Sequence, residues 1–438
     1  MADLELQERL PAHPQPALDV LRTYLADRGR RAVENIRPAL RTVARPLGLY
    51  LASRIVVATA IGVVIALHIG LSTQHFHGSS FPLNPPKGSF FEALGMFDGA
   101  WYMHIAAHGY STQLQPIDWS ATPSVAFLPL LPVLLRITVF VTGLNILYAG
   151  VLTTFVIGAV ASVCVWVFVR RITDARIADR ATALWCFFPG AMTLSLVYTE
   201  GLLVVLAVIC LFALMRGRWL VAGLAAAAAS ATAPEGLALT ACCAWAAGAA
   251  VLHHPARDDR EGPEGFGHRL RRGRWFPLLA PVLAPTGWIT YQAYLWHRTG
   301  DIKFWYRIEN EFWQGGFHPW TATVDKARLA FDHPGMPDYL VPTIGLFVLV
   351  AAAILLWHWK PPAVVTIYAA VAMALVLSSG PLGARPRFFI AAFPFVVALA
   401  RPARGPGFSA LLGTAAGCLG LLTLIITAGV TAAQAFTP

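Results

Sequence analysis

Long apolar stretches separated by short polar turns dominate the 438-residue chain. Runs long enough to cross about 30 Å of hydrocarbon lie near 50–71, 145–169, 180–198, 200–215, 276–296, 341–359, 361–379, 387–400 and 408–432. The region 219–252 is long enough for two short crossings broken at Pro234. The pattern predicts an all-α, polytopic integral membrane protein of about eleven transmembrane helices. Composition agrees, with 57% hydrophobic residues, 13% charged residues and a mean hydropathy of +0.59, values that exclude an ordinary soluble domain.

Charge placement sets the expected orientation, because Lys and Arg near span ends are retained on the cytoplasmic side. Arginines collect between Arg22 and Arg45, at Arg170, Arg171, Arg176 and Arg180, at Arg216 and Arg218, and between Arg257 and Arg274. All these groups share one side only if the apolar stretch Phe127–Val141, broken by Pro129 and Pro132, does not cross fully and lies re-entrant or along the outer interface. The sequence then divides into a basic cytoplasmic tail (1–48) with one membrane-hugging helix, a transmembrane domain (49–432) with outer loops 72–126 and 297–340, and an outer C-terminal tail (433–438). No cleavable signal peptide is expected. The formal charge of +10 reads as a topology signal and an attraction to anionic membrane lipid. Nucleic acid is not an expected partner, since the basic residues flank spans and do not interleave with aromatics.

Both outer loops are rich in aromatics and acids. The first carries Glu92, Asp98, His104, His108, Tyr110, Asp118 and Trp119; the second runs through Asp301, Trp305, Tyr306, Glu309, Glu311 and Trp313. Stacking faces beside hydrogen-bonding groups suit a sugar with a lipid tail, although Trp and Tyr also form interfacial belts in most membrane proteins. Asp98 sits in the run Phe97-Asp98-Gly99-Ala100-Trp101-Tyr102. It reads equally as the N-cap of a helix over 99–108 ended by Gly109 and as a general base, two compatible roles. The six cysteines lie in apolar stretches and suggest neither disulfides nor zinc. His104 and His108 stand four apart, with His75 and His77 upstream, but no third ligand is placed, and no metal is expected.

That run, with Ile105-Ala106, Gly109-Tyr110 and Phe127-Leu128-Pro129-Leu130-Leu131-Pro132, resembles the first outer loop of bacterial relatives of the phosphatidylinositol-glycan class V mannosyltransferases (GPI mannosyltransferase II-like), of the GT-C superfamily. Further matches keep that family's order across roughly residues 50–400: Phe188-Pro189, Ser195 to Glu200, Arg216-Gly217-Arg218-Trp219, Ala222-Gly223, Ser230-Ala231-Thr232, Tyr294-Leu295-Trp296 and Pro386-Arg387-Phe388. The resemblance implies a multi-pass cell-membrane enzyme of GT-C architecture with its active site on the outer face and no cofactor. It further implies transfer of mannose, with inversion, from polyprenyl-phosphate mannose to a hydroxyl of a lipid, polysaccharide or protein acceptor.

Asp98 matches the family's loop acid and is the expected base. Trp101, Tyr102, Tyr198, Glu200 and Glu235 are expected to bind substrate. Arg385 and Arg387, whose guanidinium forks match phosphate oxygens, are expected at the donor phosphate, with Arg298, Lys303 and Arg307 as alternates. Two positions depart from the family: Phe97 replaces a tryptophan, and Ala233 stands where an arginine usually precedes proline, which changes the site charge beside Glu235. A transferase using another polyprenyl-phosphate sugar and a non-enzymatic lipid-linked sugar flippase are the rival readings. The flippase needs polar groups along a route through the membrane, whereas acids here are nearly absent from mid-span positions.

The topology is directly testable. A single cysteine near Gln113 is expected to react with a membrane-impermeant thiol reagent in intact cells, and one near Gly265 to be shielded; the reverse labelling overturns the scheme.

Overall fold

The computed structural model describes residues 43–67, 89–111, 114, 117, 122–252, 275–313, 315, 317, 321–379 and 384–428. These residues are almost entirely helical, as the apolar runs predict. Five helices are long and apolar enough to cross a membrane: Val43–Ala66, Ile146–Ile172, Pro234–Leu252 with its 3-10 first turn, Tyr339–Trp359 and Gly405–Ala428. Four shorter apolar helices, Leu130–Thr142, Glu200–Met215, Trp219–Ser230 and Ala363–Leu377, pack among them. Large apolar side chains face outward at Ile344, Phe347, Val350, Ile354 and Trp357, three or four residues apart along one helix face. A stripe of that size is sustained by hydrocarbon and not by water. The chain is an integral membrane protein.

Several expected spans are not single helices. The run 180–198 becomes a helix Ala175–Phe187 followed by a 3-10 turn Pro189–Leu194, because Pro189 ends helical hydrogen bonding. The run 276–296 is split at Pro285 into short turns and a helix Thr286–Thr299, and 387–400 is split at Pro394 into Pro386–Ala391 and Pro394–Ala400. The helix Leu130–Thr142 is about 20 Å long at 1.5 Å per residue, shorter than the hydrocarbon thickness. The helix Val43–Ala66 begins ahead of residue 49 and takes in the last residues assigned to the basic tail. The rest of that tail, the loop 254–274 and the C-terminal tail lie outside the described residues.

Irregular backbone inside a helical bundle must find partners for its polar groups. The segment Pro189–Leu194 finds them on the first helix. There the buried Arg54 donates through Nη1 to Ala191 O at 2.7 Å and Ser195 Oγ at 2.6 Å, and Tyr50 Oη donates to Leu194 O at 3.2 Å. Val197 N–H then donates to Leu94 O at 3.0 Å, which joins this segment to the loop 72–126. On its other side lies the short helix Pro386–Ala391. A Cβ at Gly190 would sit 2.1 Å from Pro386 O, so only glycine lets the two backbones meet. Two more donors fix that helix: Trp185 Nε1 to Ile390 O at 3.1 Å and Tyr368 Oη to Ala391 O at 2.9 Å.

This contact predicts an asymmetry between two helix-bundle glycines. Gly190→Ala is expected to destabilise by about 1–3 kcal/mol through overpacking, read as a lower thermal midpoint in detergent. Gly413→Ala, whose Cβ would meet nothing within 4 Å, is expected to leave the midpoint unchanged or slightly raised.

Candidate active site

The loop 72–126 places its acid by a local backbone device. Phe97 adopts φ 57° and ψ −127°, a left-handed geometry rare outside glycine, and the chain turns directly into the helix Asp98–His108. Gly109, at φ 81°, ends that helix as expected. The expected cap is not made. Asp98 is the first helical residue, Phe97 holds the cap position, and no side chain caps the helix.

The Asp98 carboxylate is used elsewhere. Its Oδ2 accepts from Arg387 Nη1 at 2.8 Å, an ion pair in which the two side chains are only 23% and 12% exposed. Arg387 Nε lies 4.0 Å from Glu200 Oε1, on a side chain 8% exposed. One guanidinium thus serves carboxylates from two distant helices. Neither Arg387 Nε nor Glu200 Oε2 has a hydrogen-bond partner among the described residues. Tyr198 underlies the group, its ring 5.7 Å from the Arg387 guanidinium carbon and its hydroxyl accepting from Asp98 N–H at 3.4 Å.

These residues open onto a cavity of about 390 Å³, within the size range of small-molecule sites. Of the expected residues, Asp98, Trp101, Tyr102, Glu200, Glu235 and Arg387 line it. Tyr198 sits one layer behind, and Arg385 is buried away from the cavity, 5% exposed at the start of the short helix that carries Arg387. Ala233, the departure from the family pattern, also lines the cavity next to Glu235. Arg298, Lys303 and Arg307 do not line it; Arg307 pairs with Asp301 at 3.1 Å.

The second loop, with the helix that leads into it, forms another wall. Three aromatic donors reach backbone carbonyls of the first loop: Tyr291 Oη, on the helix Thr286–Thr299, to Val125 O at 2.7 Å, and Trp305 Nε1 to Ala126 O and Trp313 Nε1 to Pro123 O, each at 3.3 Å. Trp101 stacks on Phe127 at a centroid distance of 5.8 Å, and Trp313 meets Trp101 edge-on at 5.9 Å. Trp288 packs edge-on against Trp305 at 4.6 Å. The wall is therefore an aromatic surface in which the donors of Tyr291, Trp305 and Trp313 are engaged by backbone carbonyls.

Two protonation states follow from position. Burial, and after it the Asp98 charge, push the Tyr102 phenol well above its ordinary range, so it remains a donor. Burial, and then the charges of Asp98 and Glu235, raise the Glu309 carboxyl to about 8. Glu309, Trp305 and Trp313 entered the sequence reading only as loop residues, and Trp288 was hidden in an expected span. The four-residue spacing of Trp305 and Glu309, which puts them on one helical face, is a signal that finds those two; Trp313 lies beyond the end of the helix Phe304–Glu311. The His104 and His108 rings lie 4.7 Å apart, tilted by 34°, and among the described residues no three metal-ligating side chains gather.

Removing the shared cation isolates the pair's contribution. Arg387→Met leaves Asp98 and Glu200 without it, and is expected to cost about 3 kcal/mol, seen as a lower thermal midpoint. Combining it with Asp98→Asn is expected to recover part of that loss in a double-mutant cycle. Additive losses would mean that the ion pair does not couple the two helices.

No protein-family model matches the chain, and no curated protein matches it. Among solved structures, the oligosaccharyltransferase of Archaeoglobus fulgidus, in a crystal structure with zinc and sulfate, aligns at 16% identity with a TM-score of 0.40. The alignment covers 87% of this chain and 53% of that one, so the chain spans about half that protein's length. A likeness this distant carries no inference about the site.

Proposed function

We propose that this protein is a membrane glycosyltransferase of the GT-C type that moves mannose from polyprenyl-phosphate mannose to an acceptor hydroxyl at the outer face of the membrane. The observation that supports this reading best is the meeting of Asp98, Arg387 and Glu200 on one aromatic-walled cavity. A carboxylate supplies a base, the guanidinium supplies a partner for phosphate oxygens, and the indole faces supply a surface for a sugar ring. Mannose and the polyprenyl-phosphate donor are what the resemblance of the ordered motif series implies.

In the proposed reaction Asp98 takes the proton of the acceptor hydroxyl as its oxygen attacks the anomeric carbon. The bond from that carbon to the phosphate oxygen breaks on the opposite face, which inverts the centre, and polyprenyl phosphate leaves with the electron pair. Arg387 orients Asp98 through Nη1 and brings positive charge to the cavity wall for the donor phosphate. Glu200, on the same wall, serves in this reading as an acceptor for a sugar or acceptor hydroxyl. The acceptor itself is a lipid, glycan or protein hydroxyl.

Transfer from defined polyprenyl-phosphate sugars, in membranes of an overexpressing strain with products identified by mass, tests the reading. Asp98→Asn keeps the side-chain volume but cannot take the proton. It is expected to accumulate normally and to lose about 10²–10⁴-fold in rate, with a smaller loss in Glu200→Gln. Parental rates from purified Asp98→Asn would move the base to Glu200 or Glu235. Mannose-independent transfer from another polyprenyl-phosphate sugar would correct the donor.

A further inference from the structure

The cavity is lined by four carboxyl groups, on Asp98, Glu200, Glu235 and Glu309, and among the described lining residues Arg387 is the cation that faces them. Arg387 is already engaged by Asp98 and lies near Glu200. Ala233, beside Glu235 on the cavity wall, brings no charge. A phosphate-bearing donor entering four ionised carboxylates would meet net repulsion. One of the four is built differently from the rest.

Glu309 belongs to the loop helix Phe304–Glu311, not to the bundle, and forms no ion pair among the described residues. The chain folds back over it: Gly315 N–H donates to Glu309 O at 2.7 Å, and a Cβ at Gly315 would lie 2.6 Å from Glu309 Oε2. Gly315 O in turn accepts from Ser379 Oγ at 3.2 Å, and Phe317 bridges to Ser379, so the loop is fastened to the far wall of the cavity. The backbone of Glu309 is thereby held at the cavity, and its carboxyl lies beneath a glycine that leaves it room, with indoles on both sides of it in sequence.

We propose that Glu309 is a neutral carboxyl that donates a hydrogen bond to the phosphate of the lipid-linked donor, a second phosphate-binding group where the pocket lacks a second cation. This assignment rests on the transferase reading above. It involves no proton transfer: the acid proton stays on Glu309 while bridging to a phosphate oxygen. Burial and the facing charges of Asp98 and Glu235 raise this carboxyl to about 8, so it is protonated at neutral pH and charges as pH rises through that value. The other titratable groups around it are Tyr102 and Glu200, Arg387 on the opposite wall, Tyr291 on the helix Thr286–Thr299, and Tyr306, Arg307 and Glu311 on its own helix. The 3-10 turn Thr122–Ala126 packed against that helix carries no titratable side chain. A donor phosphodiester does not titrate in this range, so an alkaline loss of donor binding reports on the protein.

Two measurements test the proposal on the intact protein in detergent. The first is the infrared band of protonated carboxyl groups between pH 6.5 and 9.5, compared between the wild type and Glu309→Gln. A component lost near pH 8 in the wild type and missing from the variant supports the assignment, and an unchanged band in the variant overturns it. This readout needs no activity, so it stands even if the transferase reading fails. The second is the pH dependence of the KM for polyprenyl-phosphate sugar. The wild-type KM is expected to rise about tenfold between pH 7 and 9 with kcat moving far less. In Glu309→Gln, whose amide donates at every pH, the same interval is expected to change KM less than about twofold. Glu309→Ala is expected to show a raised KM at pH 7 and no alkaline rise. An alkaline rise that persists in both variants overturns the role of Glu309, whereas absence of transfer by the wild type overturns only the transferase reading.

Discussion

The arrangement of the site depends on one constraint: a guanidinium taken out of water must keep its anions. Arg387 is only 12% exposed, and it draws Asp98 from a loop helix and Glu200 from the start of an apolar helix toward a single point. In this setting the pair is not an ornament to a prebuilt pocket. Losing the cation would strand two carboxylates in surroundings that solvate them poorly. The same desolvation accounts for the strained turn at Phe97, which directs Asp98 inward where a relaxed cap would direct it back to its own helix.

Around that point the protein makes irregular backbone tolerable by supplying donors from side chains. Arg54 and Tyr50 serve the carbonyls of the 3-10 segment after Phe188, and Trp185 and Tyr368 serve the end of the short helix that carries Arg387. Tyr291, Trp305 and Trp313 do the same for residues 123–126. Each of these donors belongs to a large side chain anchored in a packed element, so it fixes position as well as satisfying a carbonyl. The two loops consequently form one wall, and the cavity lies where loop aromatics meet the ends of the bundle.

The electrostatics of that cavity are dominated by acids. Carboxyl groups outnumber cations among the described lining residues. Such a surplus is sustained only when some of the acids are neutral or share a cation. Asp98 and Glu200 share Arg387, whereas Glu309, on the loop wall, is pushed toward its protonated form. Proton content is therefore as much a part of this site as side-chain identity.

The sequence alone determined the helical membrane character, because about 30 Å of hydrocarbon demands long apolar runs that any reading of hydropathy detects. It also pointed to Asp98, Glu200, Glu235 and Arg387, whose polarity at the edges of apolar runs is conspicuous. It could not show that residues about 100 and 290 positions from Asp98 would meet it, since that meeting is fixed by a glycine contact at Gly190 and a set of side-chain-to-carbonyl bonds with no local sequence pattern. The cap expected of Asp98 failed for the same reason: a local rule lost to a tertiary ion pair. Proline breaks inside apolar runs left hydropathy unchanged while cutting expected spans into short helices, as at Pro285 and Pro394. Only the folded chain brought Glu309 over the cavity and gave its carboxyl the surroundings that set its charge, because burial and the field of neighbouring acids belong to the tertiary structure and not to the residue.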